Sequence, residues 1–152
     1  MEDKVQQTIV IRTLYPDNNG GTKKIRAGKH CSQAAHSSIA FLTNKFKNST
    51  TEKIVKIDSN GNYNETIIKI PAQLTKEEEI WINDSFTKIC LYVETEEELL
   101  EVYENAKNAG LTVELITDSG KTEFSVPTKT CLAIGPHYKS KIDPITQNLK
   151  LY

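Results

Sequence analysis

Apolar positions along the chain change period several times, and each change marks an element. Thr8 to Thr13 reads TIVIRT, a β-branched run that suits a buried strand. Pro16-Asp17-Asn18-Asn19-Gly20-Gly21 ends it, because proline presets a turn while asparagine and glycine accept positive φ. From about Gly28 to Lys47 the period lengthens. Ala35, Ile39, Leu42 and Phe46 fall four, three and four residues apart, which predicts the buried face of a helix. Lys29, Gln33 and His36 then share a second face, about a third of a turn away.

KIVKI and TIIKI, on either side of Asp58-Ser59-Asn60-Gly61-Asn62-Tyr63, predict a hairpin. Thr75-Lys76-Glu77-Glu78 and Thr95-Glu96-Glu97-Glu98 are capping boxes, in which threonine accepts from a free backbone N–H and glutamate reaches back. The first opens a short, peripheral helix with Ile80 and Trp81. The second opens a helix that turns Leu99, Val102, Tyr103 and Ala106 inward and closes at Gly110. Lys88 to Val93, Leu111 to Thr117 and Thr130 to Ile134 read as further strands, and Ile142, Ile145 and Leu149 anchor the C-terminal segment. Strands alternating with helices predict a layered α/β domain with at least some parallel pairing.

Composition narrows the function classes. A chain of 152 residues with 38% hydrophobic and 26% charged residues fits one globular domain without a metal or disulfide staple. No apolar run approaches the ~20 residues of a membrane span, and MEDKVQQ carries acids where a secretory signal carries lysines, so the cytoplasm is expected. Cys31, Cys90 and Cys131 are odd in number and widely spaced, which predicts reduced thiols and neither a disulfide framework nor a zinc site. With a formal net charge of −1, attraction for a polyanion must come from a local patch, and Lys23, Lys24, Arg26 and Lys29 supply one.

Two groupings can carry chemistry: the Lys29, Gln33, His36 helix face, and Asp118-Ser119-Gly120-Lys121-Thr122 where a strand ends, the place at which ligands collect in open α/β sheets. Each also has a plain reading, as a solvated helix face and as a tight turn. Gly120-Lys121-Thr122 resembles the tail of a phosphate-binding loop, but the first glycine of that motif would fall at Leu115 inside a strand. A Cys31, His36, Asp118 triad fails because five helical residues set Cys31 and His36 well over a third of a turn apart. His30, His36 and His137 lack paired ligand spacing, so no metal is expected.

Gly28-Lys29-His30-Cys31-Ser32-Gln33-Ala34-Ala35-His36, the stretch LTVELITDSGKT from Leu111 to Thr122, and Thr130-Cys131-Leu132-Ala133-Ile134-Gly135-Pro136 through Ile142 to Lys150 occur in one order along the chain. Together they resemble the archaeal and eukaryotic type of peptidyl-tRNA hydrolase, over about residues 8–48 and 87–152. The resemblance implies a layered α/β/α fold with a mixed, mostly parallel central sheet, in which 1–152 form a single domain and 49–86 an insertion. It implies a homodimer, and a site built from Lys29, His36, Asp118 and Thr130. This chain departs from the family pattern at Ala27, where a basic residue often stands, and at Glu123, where glutamine is common. Both changes remove positive or neutral hydrogen-bonding character near the expected tRNA approach.

The implied reaction is hydrolysis of the ester joining peptide to tRNA, without a cofactor. Lys29 is expected to stabilise the oxyanion, Asp118 or His36 to orient or deprotonate the water, and Thr130 to position water or substrate. Gln33, Lys23, Lys24, Arg26, Lys121 and Thr122 are expected to contact the tRNA end through charge and hydrogen bonds rather than sequence readout. The alternatives are a non-catalytic tRNA- or protein-binding module on the same fold, and a hydrolase of small amino-acid esters.

Overall fold

The computed structural model describes the backbone of residues 3–70 and 73–152, and the side chains of these residues except 50–54 and 64–70. In chain order the elements are β1 (Val5–Arg12), β2 (Tyr15–Pro16), β3 (Thr22–Lys23), α1 (Ala27–Lys47), β4 (Thr50–Ile57), β5 (Tyr63–Ile70) and α2 (Lys76–Asn83). There follow β6 (Lys88–Val93), α3 (Glu96–Asn108), β7 (Val113–Asp118), β8 (Thr128–Tyr138), α4 (Lys139–Thr146) and β9 (Lys150–Leu151).

A central sheet of order β7-β8-β1-β6-β9 separates two helical layers. Side chains alternate along β1 as a two-sided strand requires: Val10 meets Leu99, Val102, Ala106 and Ile142 of α3 and α4, while Ile9 and Ile11 share a cluster with Ala34 of α1. The α/β/α layering and the mixed sheet are as expected, but the sheet is not mostly parallel. Among the described residues only β1 and β6 pair in parallel; β1 with β8, β7 with β8, and β6 with β9 are antiparallel. The connections account for the difference. β7 and β8 are joined by the short loop 119–127, too brief for a crossover, and α4 turns the chain back on itself to lay β9 along β6.

The helices form where local signals put them. Both capping boxes are complete, with Thr75 and Thr95 side chains accepting from Glu78 N and Glu98 N and each glutamate returning the bond. Leu99, Val102 and Ala106 are buried along α3. Gly110, at φ +73°, closes that helix while Leu111 N–H donates to Ala106 O at 3.1 Å. β4 and β5 pair with each other from Thr50↔Ile70 to Ile57↔Tyr63, the predicted hairpin, and lie outside the central sheet.

Two expectations about packing are corrected. The α1 phase predicted from Ala35, Ile39, Leu42 and Phe46 is wrong: Ile39 and Phe46 are 53% and 57% exposed, and the buried positions are His30, Gln33, Ser37 and Phe41. Two of these buried polar groups find partners, Ser37 Oγ donating to Ala34 O at 2.9 Å and Gln33 joining the network described below. An apolar count therefore slips the phase. α2 is not peripheral either. Trp81 is 3% exposed, packs with Phe41 and Val5, and donates its Nε1–H to Thr87 O at 2.7 Å.

Candidate active site

Asp118 stands at the carboxyl end of β7, on the edge of the sheet. Strand alternation turns Glu114, Ile116 and Asp118 toward α1, where Asn44 donates to Glu114 Oε2 at 2.8 Å and Ile116 packs beside Ala34. Thr130 on β8 would by the same alternation face away from α1, since Leu132 and Ile134 belong to the opposite core. A bulge prevents this. Ile116 pairs with Cys131 and Thr117 with Lys129, so Thr130 is an extra residue in its strand. It is thereby re-aimed to the α1 side, where its hydroxyl donates to Gln33 Oε1 at 2.7 Å and Cys131 Sγ lies 3.1 Å from Gln33 O.

Gln33 is the link in this network. It is 3% exposed, and its Nε2 donates to Asp118 Oδ2 at 2.9 Å while its Oε1 accepts from Thr130. One turn earlier on α1, Lys29 Nζ donates to the same Asp118 oxygen at 2.5 Å and to Thr122 Oγ1 at 3.0 Å. The other Asp118 oxygen accepts the Gly120 N–H at 2.9 Å. That turn requires glycine, because Gly120 has φ +79° and a Cβ there would come within 2.5 Å of the Val126 backbone. The hydrogen bond from Lys29, with those from Gly120 and Gln33, holds the Asp118 carboxyl below the usual carboxylate range against the opposing effect of burial. Asp118 is therefore an anchor for an ammonium and a weak proton acceptor.

The sequence-predicted residues separate into groups. Lys29, Gln33, Asp118, Thr122 and Thr130 come together in one network. His36 does not join it: the side chain is exposed on the flank of α1 and, among the described residues, forms no hydrogen bond with Lys29 or Asp118. Thr130 is 1% exposed, with its hydroxyl turned to Gln33 between β8 and α1. Lys23, Lys24, Arg26 and Lys121 are exposed, Lys23 and Arg26 reaching Glu123 of the 119–127 loop. Motif reading missed Phe124, which is buried with its ring centroid 5.8 Å from Lys29 Nζ and 4.8 Å from the Tyr15 ring. It also missed His30, buried on α1 with Nδ1 2.5 Å from Tyr152 Oη, whose imidazole burial pushes below its ordinary pKa.

Among the described residues no group of three or more His, Cys, Asp or Glu is placed to hold a metal ion, and no helix is long and apolar enough to cross a membrane. The three cysteines are free thiols, with Cys131 buried, Cys90 half-buried and Cys31 exposed.

The family model described as peptidyl-tRNA hydrolase PTH2 matches residues 5–152, from the start of β1 through β9. The chain belongs to that family. Its reaction is hydrolysis of the ester between peptide and tRNA. A peptidyl-tRNA hydrolase of Nanoarchaeum equitans is 32% identical over 148 residues, covering 97% of this chain and 99% of the relative. One of Methanopyrus kandleri is 32% identical over 147 residues, covering 96% and 97%, and one of Sulfolobus acidocaldarius 35% identical over 124 residues, covering 82% and 87%. Lys29, with a side chain 16% exposed, is a cation held beside the end of β7 by its ion pair with Asp118.

Proposed function

We propose that Lys29 is the electrophilic group of this peptidyl-tRNA hydrolase and that Asp118, Gln33 and Thr130 hold it in place. The observation that carries the reading is the Lys29 ammonium itself. Two of its three N–H bonds are directed to Asp118 and Thr122, leaving one without a partner among the described residues. Donated to the ester carbonyl, that N–H strengthens as the oxygen becomes an oxyanion, and a donor preset in this way contributes a few kcal/mol to the barrier. Asp118 aims the ammonium and orients the attacking water by accepting from it, rather than removing its proton. His36, further along the exposed flank of α1, contacts substrate lying over the helix.

Lys23, Lys24, Arg26 and Lys121 dock the phosphates of the tRNA end, a role that charge alone fulfils. Support comes from their exposure and from their position in sequence beside Lys29 and Asp118. Residues 1–152 act as a single domain with 49–86 inserted, a reading supported by a hairpin that pairs only with itself among the described strands. A homodimer and a cytoplasmic location belong to the same proposal, as fits an enzyme of translation.

The test is release of free tRNA from labelled peptidyl-tRNA under single-turnover conditions across a salt series. The expected result is turnover whose substrate affinity falls steeply with salt, with the log–log slope reduced by about two in the Lys23→Ala, Lys24→Ala variant. A slope unchanged by the double substitution removes these lysines from the docking face.

A further inference from the structure

The cations around the site are not all free. Arg26, just before α1, has a side chain 87% exposed, yet its Nε donates to Glu123 Oε1 at 2.6 Å. Glu123 lies in the 119–127 loop with a side chain only 16% exposed, and its backbone carbonyl accepts from Lys23 Nζ at 3.3 Å. Its neighbours serve the site: Thr122 accepts from Lys29 at 3.0 Å, and the Phe124 ring lies 5.8 Å from Lys29 Nζ. Three consecutive residues of the loop thus meet the start of α1 and the strand before it. The bond from Arg26 keeps the Glu123 carboxyl below its ordinary range, so the pair is charged at neutral pH.

A guanidinium binds carboxylate and phosphate oxygens through the same fork of N–H donors. An ion pair with one partner this exposed is weak and screened by salt, so a second anion can replace the first. We propose that Glu123 is a built-in competitor for the tRNA phosphate at Arg26: it holds the guanidinium in the free enzyme and yields it to a backbone phosphate when substrate docks. Glu123 is thereby a determinant of substrate affinity. Among the described residues Lys29 Nζ is hydrogen-bonded to Asp118 and Thr122 and not to Arg26 or Glu123, so the exchange acts chiefly on KM. This inference rests on the docking role given above to Arg26 and its neighbouring lysines.

Glu123→Gln is the appropriate variant, because glutamine keeps the oxygen that accepts from Arg26 and removes only the charge. KM for peptidyl-tRNA is expected to fall about threefold or more at low salt with kcat unchanged, and the gain to shrink as salt rises, because salt already screens the pair that the substitution relieves. Filter binding of the same tRNA gives the affinity independently of turnover. In an Arg26→Ala background the substitution should have little effect, since the pair it relieves is already gone. Glu123→Ser, a second neutral variant, should move KM in the same direction. An unchanged KM in Glu123→Gln at low salt, a rise in KM, or a full effect persisting without Arg26 overturns the competitor role. Failure of the broader reading looks different: the parent itself then releases no tRNA.

Discussion

The two faces of the central sheet solve different problems with the same strands. On the α3 and α4 side, Val10, Leu99, Ala106, Leu132, Ile134 and Ile142 form a fully buried apolar core. On the α1 side the apolar residues form two separate clusters, Ile9, Ile11, Cys131 and Ala133 in one and Val5, Phe41 and Trp81 in the other, and the same side also buries the polar Gln33, Ser37 and Thr130. An apolar face gains stability from area and packing, without directional demands. Buried polar groups cost stability unless they are partnered, and here Gln33 joins Thr130 to the Asp118 that holds Lys29. Both sides contribute packing, but the polar network that orients Lys29 lies on the α1 side alone.

The sharpest test of that division is Leu99→Ala, which truncates a side chain with no exposure at the centre of the α3 layer. It should cost about 2–5 kcal/mol, read from the denaturant midpoint, with kcat unchanged in the fraction that remains folded. A loss of kcat at full folding would show the two faces to be coupled.

The reverse case is the charged pair. Lys29→Ala and Asp118→Ala should each lower kcat/KM by on the order of a hundredfold, about 2.7 kcal/mol, mainly through kcat. The pair also has a pH signature. Because the folded Asp118 pKa is depressed, the stability it contributes is present above the unfolded value near 3.9 and is lost as pH falls through the lower folded value. From pH 8 down to about 5, protonation of Asp118 should therefore produce no fall in kcat/KM. An acid limb in that range that disappears in Asp118→Asn would show that Asp118 acts as a base with a raised pKa.

Gln33→Leu tests the link between strand and helix. With Lys29 intact, kcat should fall about tenfold at unchanged KM, the scale of one hydrogen bond to a charged group. A change confined to KM would make Gln33 a substrate contact instead of a positioning residue.

What the sequence made legible was local. Capping boxes, the α3 stripe, the hairpin and the grouping of Lys29 with Asp118 all rest on residues close in sequence or on a family motif. Strand direction did not, because pairing β8 between β7 and β1 depends on loop lengths and long-range contacts. Nor did the Thr130 bulge, which is a mismatch between two strands and leaves no mark on either one alone. The phase of α1 was misread for a related reason. Gln33 and Ser37 look solvent-facing until their partners on β7, β8 and the helix itself are known.

That misreading leads to the smallest effect expected. Ile39 and Phe46 lie on the outer side of α1, half exposed or more, so truncating Ile39 removes little area that folding withdrew from water. Alanine also has the higher helix propensity, which offsets part of whatever contact is lost. Ile39→Ala should therefore shift stability by no more than about 0.5 kcal/mol, the range of ordinary surface substitutions. Phe41→Ala, two residues along but buried against Trp81 and Val5, should cost about 3–5 kcal/mol. Denaturant midpoints of the two variants, measured side by side, report the helix phase directly. Equal losses would mean that Ile39 is covered in solution by a surface absent from a single chain, and a larger loss at Ile39 would restore the apolar stripe as the buried one.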